Sequence, residues 1–248
     1  MTTEYFSGKT VAVTGAAGFI GSHLTEALLR QGARVKALVR YNSKSDVGWL
    51  NEFATHPGLE IVHGDIRDPF MVSTLVEDCD TIFHLAALIG IPFSYTAPQS
   101  YIETNINGTL NILEAARKHQ TRRTVLTSTS EVYGTARYVP IDEEHPLQAQ
   151  SPYSASKIAA DMLGTSYHRS FALPVTIVRP FNTYGPRQSL RAVIPTIIAQ
   201  ALQGNRIKLG DLRPVRDFNF VADTVAGFIA AGAKAQGNAE IYNLATER

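Results

Sequence analysis

The sequence predicts an α/β fold with a doubly wound parallel sheet, and three observations predict it. Short apolar runs of strand character alternate with amphipathic helical runs over most of the 248 residues, as in a parallel sheet covered by helices on both faces. A glycine-rich turn, Thr14-Gly15-Ala16-Ala17-Gly18-Phe19-Ile20-Gly21, joins the first such strand to the first helix. The length suits one full α/β domain with its own core and a smaller appended piece.

Lys9 to Thr14 is the first apolar strand. Ile20, Leu24, Ala27 and Leu28 then recur at helical spacing, and Gly32 ends that helix. Arg34 to Val39 reads as the second strand, and Leu59–Val62, Thr81–Leu85 and Arg123–Thr127 as three more. A long amphipathic helix is expected from about Pro98 to Lys118 and another from about Pro152 to Ser170, followed by a strand over Val175–Val178. After Arg179 the texture changes. Pro180, Gly185, Pro186, Pro195, Gly204, Gly210 and Pro214 break the chain into short, arginine-rich pieces. Asp223 to Ala235 reads as a returning helix and Ala239 to Leu244 as a last strand.

Composition removes several functions. Lys+Arg (23) nearly balance Asp+Glu (22), so no global field favours nucleic acid or a membrane surface. The single Cys79 excludes an internal disulfide and a cysteine-rich metal site; it reads as an inert packed thiol, and no metal is expected. No apolar run approaches the ~20 residues of a membrane span, and no basic-then-apolar leader opens the chain. A cytoplasmic, reducing setting is expected.

The glycine turn has a chemical use. Without side chains at Gly15, Gly18 and Gly21, the backbone at Phe19 and Ile20 can approach a pyrophosphate, which then meets the helix N-terminus. Glycine-rich turns also occur with no ligand, but this one follows a strand and opens a helix, which makes the fold Rossmann-like. Asp65 and Ile66 follow the third strand, where an adenine edge is expected. Leu85, Ala86 and Ala87 close the fourth strand with residues that let ribose and nicotinamide lie close. His84 beside them is expected to be a packed strand histidine. Arg40 stands after the second strand where an acidic residue binds the ribose hydroxyls of NAD. It can pair with a 2′-phosphate, which favours NADP, or stack on adenine in an NAD enzyme.

Tyr153 and Lys157 lie one helical turn apart on one face. Any chain this long can contain such a pair by chance. Its chemistry is that an ammonium beside a phenol favours phenolate, drawing a pKa of ~10 toward neutrality. A phenolate can take the proton of a sugar hydroxyl as hydride leaves its carbon. Thr129, in Ser128-Thr129-Ser130-Glu131-Val132-Tyr133-Gly134, can bond the same hydroxyl, and Glu131 adds a carboxylate at a strand end. The plain alternative for Glu131 is a structural carboxylate.

Together these runs, with Asn105-Ile106-Asn107-Gly108-Thr109, Arg179-Pro180-Phe181-Asn182 and Arg216-Asp217-Phe218, resemble the extended short-chain dehydrogenase/reductase family of nucleotide-sugar epimerases and dehydratases over essentially the whole chain. The resemblance implies a tightly bound NADP or NAD and a nucleotide-diphosphate sugar as substrate. It implies that Asn182 and Arg216 contact the diphosphate, and that Thr129, Glu131, Tyr153 and Lys157 are catalytic; Arg187 and Arg191 either assist at the diphosphate or form a solvated basic loop. It implies a homodimer through the helices around 98–118 and 152–170. Residues 1–178, with a return at about 215–235, would hold the dinucleotide, and 179–214 with 236–248 would form a smaller, incomplete substrate-binding region. Family members usually continue beyond the strand at Ala239–Leu244, so a truncated substrate lid is expected.

Thr129-Ser130-Glu131 discriminates within the family. Simple 4-epimerases need no carboxylate there; dehydratases and UDP-glucuronate decarboxylases carry it. Dehydratases of thymidine-diphosphate hexoses have Asp where this chain has Ser130, whereas GDP-mannose dehydratases have Ser-Glu. The stretch from Ser130 through Asp142-Glu143-Glu144-His145-Pro146-Leu147 to Lys157 is similar to bacterial 4,6-dehydratases of N-acetylglucosamine nucleotides in the legionaminic-acid branch. The expected activity is therefore 4,6-dehydration of UDP- or GDP-N-acetylglucosamine. Decarboxylation of UDP-glucuronate and 4-epimerisation stand as alternatives, and a non-catalytic dinucleotide-binding regulator as a more distant one.

Overall fold

A computed structural model describes residues 5–43, 46–204, 206–234 and 240–246. Seven parallel strands form the main sheet: β1 (Thr10–Thr14), β2 (Arg34–Arg40), β3 (Leu59–Gly64), β4 (Thr81–His84), β5 (Arg123–Thr127), β6 (Val175–Pro180) and, last in the chain, Glu240–Leu244. Their order is β3-β2-β1-β4-β5-β6 followed by Glu240–Leu244. Strand order reverses between β1 and β4, which opens a crevice beyond their carboxyl ends. Side-chain alternation explains why the central strands are largely apolar on both faces. Val11 and Val13 of β1 join Phe6, Leu24, Phe83 and Phe228 on one face. Ala12 joins Ile82, Ile112, Leu126 and Ile177 on the other. Both faces are covered, so neither can be polar.

The helices that cover the sheet are α1 (Phe19–Arg30), α2 (Pro69–Val76), α3 (Ile91–Thr96), α4 (Pro98–Tyr101), α5 (Gly108–Lys118) and α6 (Pro152–Phe171). The strand and helix expectations up to Val178 hold within a residue or two. Other features depart from them. α2, α3 and a 3-10 turn at Gly48–Phe53 are unexpected, although the start of α2 is written locally: the Asp68 carboxylate accepts from the Phe70 amide (2.9 Å) and the Met71 amide (3.2 Å), and Pro69 occupies the first helical position. The helix expected over 98–118 is interrupted by a π-helical turn at Ile102–Asn107. That widening lets Asn105 reach inward, where its amide donates to the Leu88 carbonyl (2.9 Å) and Ser156 Oγ (2.9 Å) and accepts from the Leu88 amide (2.8 Å). Such turns occur mostly where a helix is shaped for a task.

Beyond β6 the chain makes a separate two-stranded sheet from β7 (Asn182–Tyr184) and β8 (Phe218–Phe220). Between them lies α7 (Val193–Gln203), none of whose described residues is buried. The return helix is α8 (Val221–Ala233), packed on α1, and the last strand, β9, is Glu240–Leu244. The expected ends at Ala235 and Ala239, and residues 236–239 and 247–248 of the appended region, lie outside the described residues. Residues 240–244, expected in that region, instead complete the main sheet, where Ile241 sits opposite Ile177 of β6. No helix among the described residues is long and apolar enough to cross a membrane.

Candidate active site

A cleft of about 830 Å³ opens at the carboxyl ends of β1, β4 and β5. Gly15, Gly18, Phe19, Ile20, Gly21, Arg40, Asp65, Ile66, Leu85, Ala86, Ala87, Thr129, Glu131, Tyr153 and Asn182 all line it. Residues far apart in sequence thus meet where the strand order reverses.

The glycines divide their work. Gly15 has a φ of +70°, and a Cβ there would lie 2.8 Å from the Ala86 amide nitrogen, so a side chain would strain the turn and part β1 from β4. At Gly21 a Cβ would fall 2.2 Å from the Gly15 carbonyl oxygen, so helix and turn pack through bare backbone. These two glycines serve the fold. Gly18 caps α1 without a side-chain bond, and no acidic residue occupies the first turn. The first amides of α1 therefore face the cleft with no side-chain acceptor of their own, the arrangement a pyrophosphate needs. These residues fit a dinucleotide.

His84 is structural, as expected. The Thr14 hydroxyl oxygen accepts from the Leu85 amide (3.1 Å) and the Ala86 amide (3.0 Å) and meets His84 Nδ1 at 2.8 Å. Nε2 lies 3.2 Å from Thr109 Oγ1, whose own proton goes to the Asn105 carbonyl (2.7 Å). With both threonine lone pairs and protons so committed, Thr14 donates to Nδ1 and the ring donates from Nε2, a neutral tautomer. Burial agrees, pushing His84 down to about 3. Cys79 is likewise packed, and burial pushes its thiol up to about 11.

At the β3 end of the cleft, Arg67 grips Asp65 through Nε (3.0 Å) and Nη2 (2.8 Å), which holds the carboxyl below its usual range. Arg40 is exposed, with its Nε 3.9 Å from the same carboxylate.

At the other end, Ser151 opens α6 with a reciprocal cap on Ser154. Tyr153 follows in the first turn and Lys157 one turn on, both buried. Lys157 donates to the Thr127 carbonyl at the end of β5. Thr129 caps the short 3-10 turn Ser130–Val132 by accepting from the Glu131 amide (3.2 Å), which sets Glu131 in the cleft wall. The expected acidification of Tyr153 by Lys157 is not met by the protein alone. Burial dominates and pushes the phenol up to about 12; hydrogen bonding from Thr129 opposes this, and the nearby Glu131 charge reinforces it. Burial also pushes Lys157 down to about 8.

The arginines expected at the substrate diphosphate have local partners in this structure. Arg187, with a left-handed φ of 68°, turns its guanidinium away from the cleft onto Glu26 (2.9 Å) and Glu52, and its side chain is only 11% exposed. Arg191 bonds back to Ser189, and Arg216 donates to the Val215 carbonyl (2.9 Å). None of the three lines the cleft; only Asn182 of that group does. The cleft also holds Ser100, Thr104 and Gln188, which the motifs did not flag. Ser100 and Thr104 are four residues apart on one helical face, a spacing that could have revealed them.

Residues 12–248 match the family described as GDP-mannose 4,6 dehydratase. A dTDP-glucose 4,6-dehydratase of Streptomyces antibioticus is 38% identical over 87% of this chain, which spans 66% of that enzyme's length. Among solved structures, the dTDP-glucose 4,6-dehydratase DesIV of Streptomyces venezuelae, determined with NAD bound, superposes with a TM-score of 0.85 at 33% identity, covering 94% of this chain and 74% of its own. A UDP-N-acetylglucosamine 4-epimerase of Methanobrevibacter ruminantium superposes with a TM-score of 0.86 at 32% identity, covering 96% and 77%. The chain belongs to the GDP-mannose 4,6 dehydratase family, within the short-chain dehydrogenase/reductase-type, NAD-dependent nucleotide-sugar epimerases and dehydratases.

Proposed function

We propose that the chain is a nucleotide-sugar 4,6-dehydratase: it oxidises C4, removes water across C5 and C6, and returns hydride to C6. The observation that carries this reading is that Glu131 and Tyr153 line one cleft, with Thr129 bonded to the Glu131 amide and to the Tyr153 hydroxyl. When bound, the dinucleotide supplies a hydride acceptor whose positive ring adds to Lys157 in favouring phenolate. Tyr153 takes the C4 hydroxyl proton, and Thr129 orients that hydroxyl. The resulting ketone acidifies the C5 hydrogen, which Glu131 removes. Serine is too weak an acid to protonate the departing C6 hydroxyl, so Ser130 leaves that proton to Glu131 as well. NAD is favoured over NADP because Asp65 offsets part of the Arg40 charge that a 2′-phosphate would need, and DesIV was solved with NAD.

Decarboxylation of UDP-glucuronate would need a cation at the C6 carboxylate. Arg187 is held by Glu26 and Glu52, Arg213 by Asp211 (2.7 Å), and neither lines the cleft. That disfavours the decarboxylase. UDP- or GDP-N-acetylglucosamine is the substrate we assign, with residues 179–214 as part of its binding region. A homodimer through α6 and the helices of residues 98–118 would cover the exposed Ile102 and Met162. Separate incubations with the two N-acetylglucosamine nucleotides and with UDP-glucuronate test the assignment. A 4-keto-6-deoxy product from either of the first two supports it, and release of CO₂ from the third overturns it.

A further inference from the structure

Tyr153, Lys157 and Asp161 follow one another at four-residue intervals on α6 and so stack along one face. The Asp161 side chain is 2% exposed, and its partner Arg179 on β6 is 1% exposed. Asp161 Oδ2 accepts from Ser128 Oγ (2.9 Å) and from Arg179 Nε (3.1 Å) and Nη2 (3.0 Å). Arg179 Nη1 donates on to the Tyr133 hydroxyl (2.9 Å), which donates to Asn243 Oδ1 of β9 (2.7 Å). Neither Asp161 nor Arg179 lines the cleft, and the reaction proposed above uses neither. A buried ion pair is weak evidence of a contribution to stability, since desolvation cancels much of its attraction. Its place, one turn below Lys157, points to another use.

We propose that Asp161, fixed by Arg179 and Ser128, is the counter-ion that keeps Lys157 an ammonium beside Tyr153, and so is a positioning residue for the acid–base pair. The proposal rests on the reading of Tyr153 and Lys157 given above. Charge arithmetic supports it. Lys157 and Arg179 contribute two positive charges and Asp161 one negative, so the buried cluster carries one net positive charge that a Tyr153 phenolate would neutralise. Removing the carboxylate leaves two like charges in the core, and the lysine, unlike the arginine, can shed its proton. Burial already pushes Lys157 down to about 8, and Asp161 is the charge that opposes this. Burial pushes the Asp161 carboxyl up, and the Arg179 charge is foremost among the groups that oppose this. The other groups facing the pair are the Thr127 carbonyl of β5, the neutral His84 of β4, and Glu131 and Tyr101 beside Tyr153; the Asp161 charge also acts on Tyr153 directly, as a lesser influence that pushes the phenol up. None of these supplies a second counter-charge to Lys157.

The test is an NMR titration of the Lys157 Cε in the full chain with its dinucleotide, for wild type and Asp161→Asn, beside the pH profile of kcat. The expected midpoint falls by at least ~1 pH unit in the variant. At neutral pH kcat should drop ~10-fold with KM little changed, and the alkaline limb should move to lower pH. Asp161→Glu should restore most of both. An unmoved midpoint overturns the proposal, as does an activity loss that leaves the alkaline limb in place. If Asp161→Asn does not fold, Ser128→Ala removes one bond to the same carboxylate and should shift the midpoint in the same direction by less; no shift there also overturns it. The titration reads the coupling without turnover, so a chain that shifts as expected yet forms no dehydrated product counts against the reaction assignment alone.

Discussion

The two walls of the cleft are built on different terms. One is made by the ends of β1, β4 and β5 and the first turns of α6. There His84, Thr14, Thr109, Asn105 and Ser156 bond to one another and to backbone, so Tyr153 and Lys157 stand on a buried, largely satisfied frame. The other is made by residues 180–183 and Gln188, which open a segment that runs on to Phe220. It has a two-stranded sheet, a helix with no buried residue among those described, and arginines bonded away from the cleft. In the proposed reading the first wall fixes the reaction, and the second leaves the choice of sugar to surface segments, where sequence can change without disturbing a core.

Breaking the first wall at its reacting groups should have the largest effects. Tyr153→Phe removes the base and should lower kcat by ~10²–10⁴-fold while the dinucleotide remains bound. Steady-state assay beside bound-nucleotide absorbance checks this, and activity within tenfold of wild type would remove Tyr153 from the mechanism. Glu131→Gln should slow product formation by a similar ~10²–10⁴-fold but still permit oxidation at C4. Reduced nucleotide should then accumulate when substrate is added, visible by absorbance. Absence of that signal with product unchanged would reassign Glu131.

Acid should loosen the same wall through His84. Its folded pKa lies at about 3, below the 6.5 of the unfolded chain. The unfolded chain therefore binds the extra proton first, and stability falls as pH drops from about 6.5 toward 3. The loss from this group is on the order of 4–5 kcal/mol at most. His84→Gln should flatten that part of the stability–pH curve, measured by denaturant melts; an unchanged slope would assign acid sensitivity to the carboxylates instead.

The second wall should respond more gently and differently at two arginines. Arg187→Ala should cost about 1–2 kcal/mol of stability, reduced from a fully buried pair because Glu26 and Glu52 are partly solvated, with substrate KM little changed. Arg216 is exposed and donates to the neighbouring Val215 carbonyl, so Arg216→Ala should leave Tm unchanged and, on the expected diphosphate contact, raise KM several-fold. Thermal melts and KM for both variants sharpen the contrast; the reverse pattern would restore Arg187 to the substrate and retire Arg216.

What the sequence revealed follows the same division. The strands, the glycine turn and the Tyr153–Lys157 spacing were legible because local pattern and function coincide there. The π-helical turn was not, because Asn105 is drawn inward by partners at Leu88 and Ser156, far along the chain. Arg187 misled for a similar reason: its carboxylate partners lie on α1 and in the Gly48–Phe53 turn, which no spacing near residue 187 reveals. Tyr153 was expected to be acidified by its neighbour, whereas burial, invisible to a motif, is the larger effect.

The central claim is dehydration by Glu131 and Tyr153 in one cleft. Proton NMR of the purified chain with UDP-N-acetylglucosamine and with GDP-N-acetylglucosamine in D₂O tests it most directly. The account predicts a new C6 methyl signal with deuterium at C5. Inversion at C4 without a methyl signal would contradict it and make the chain an epimerase.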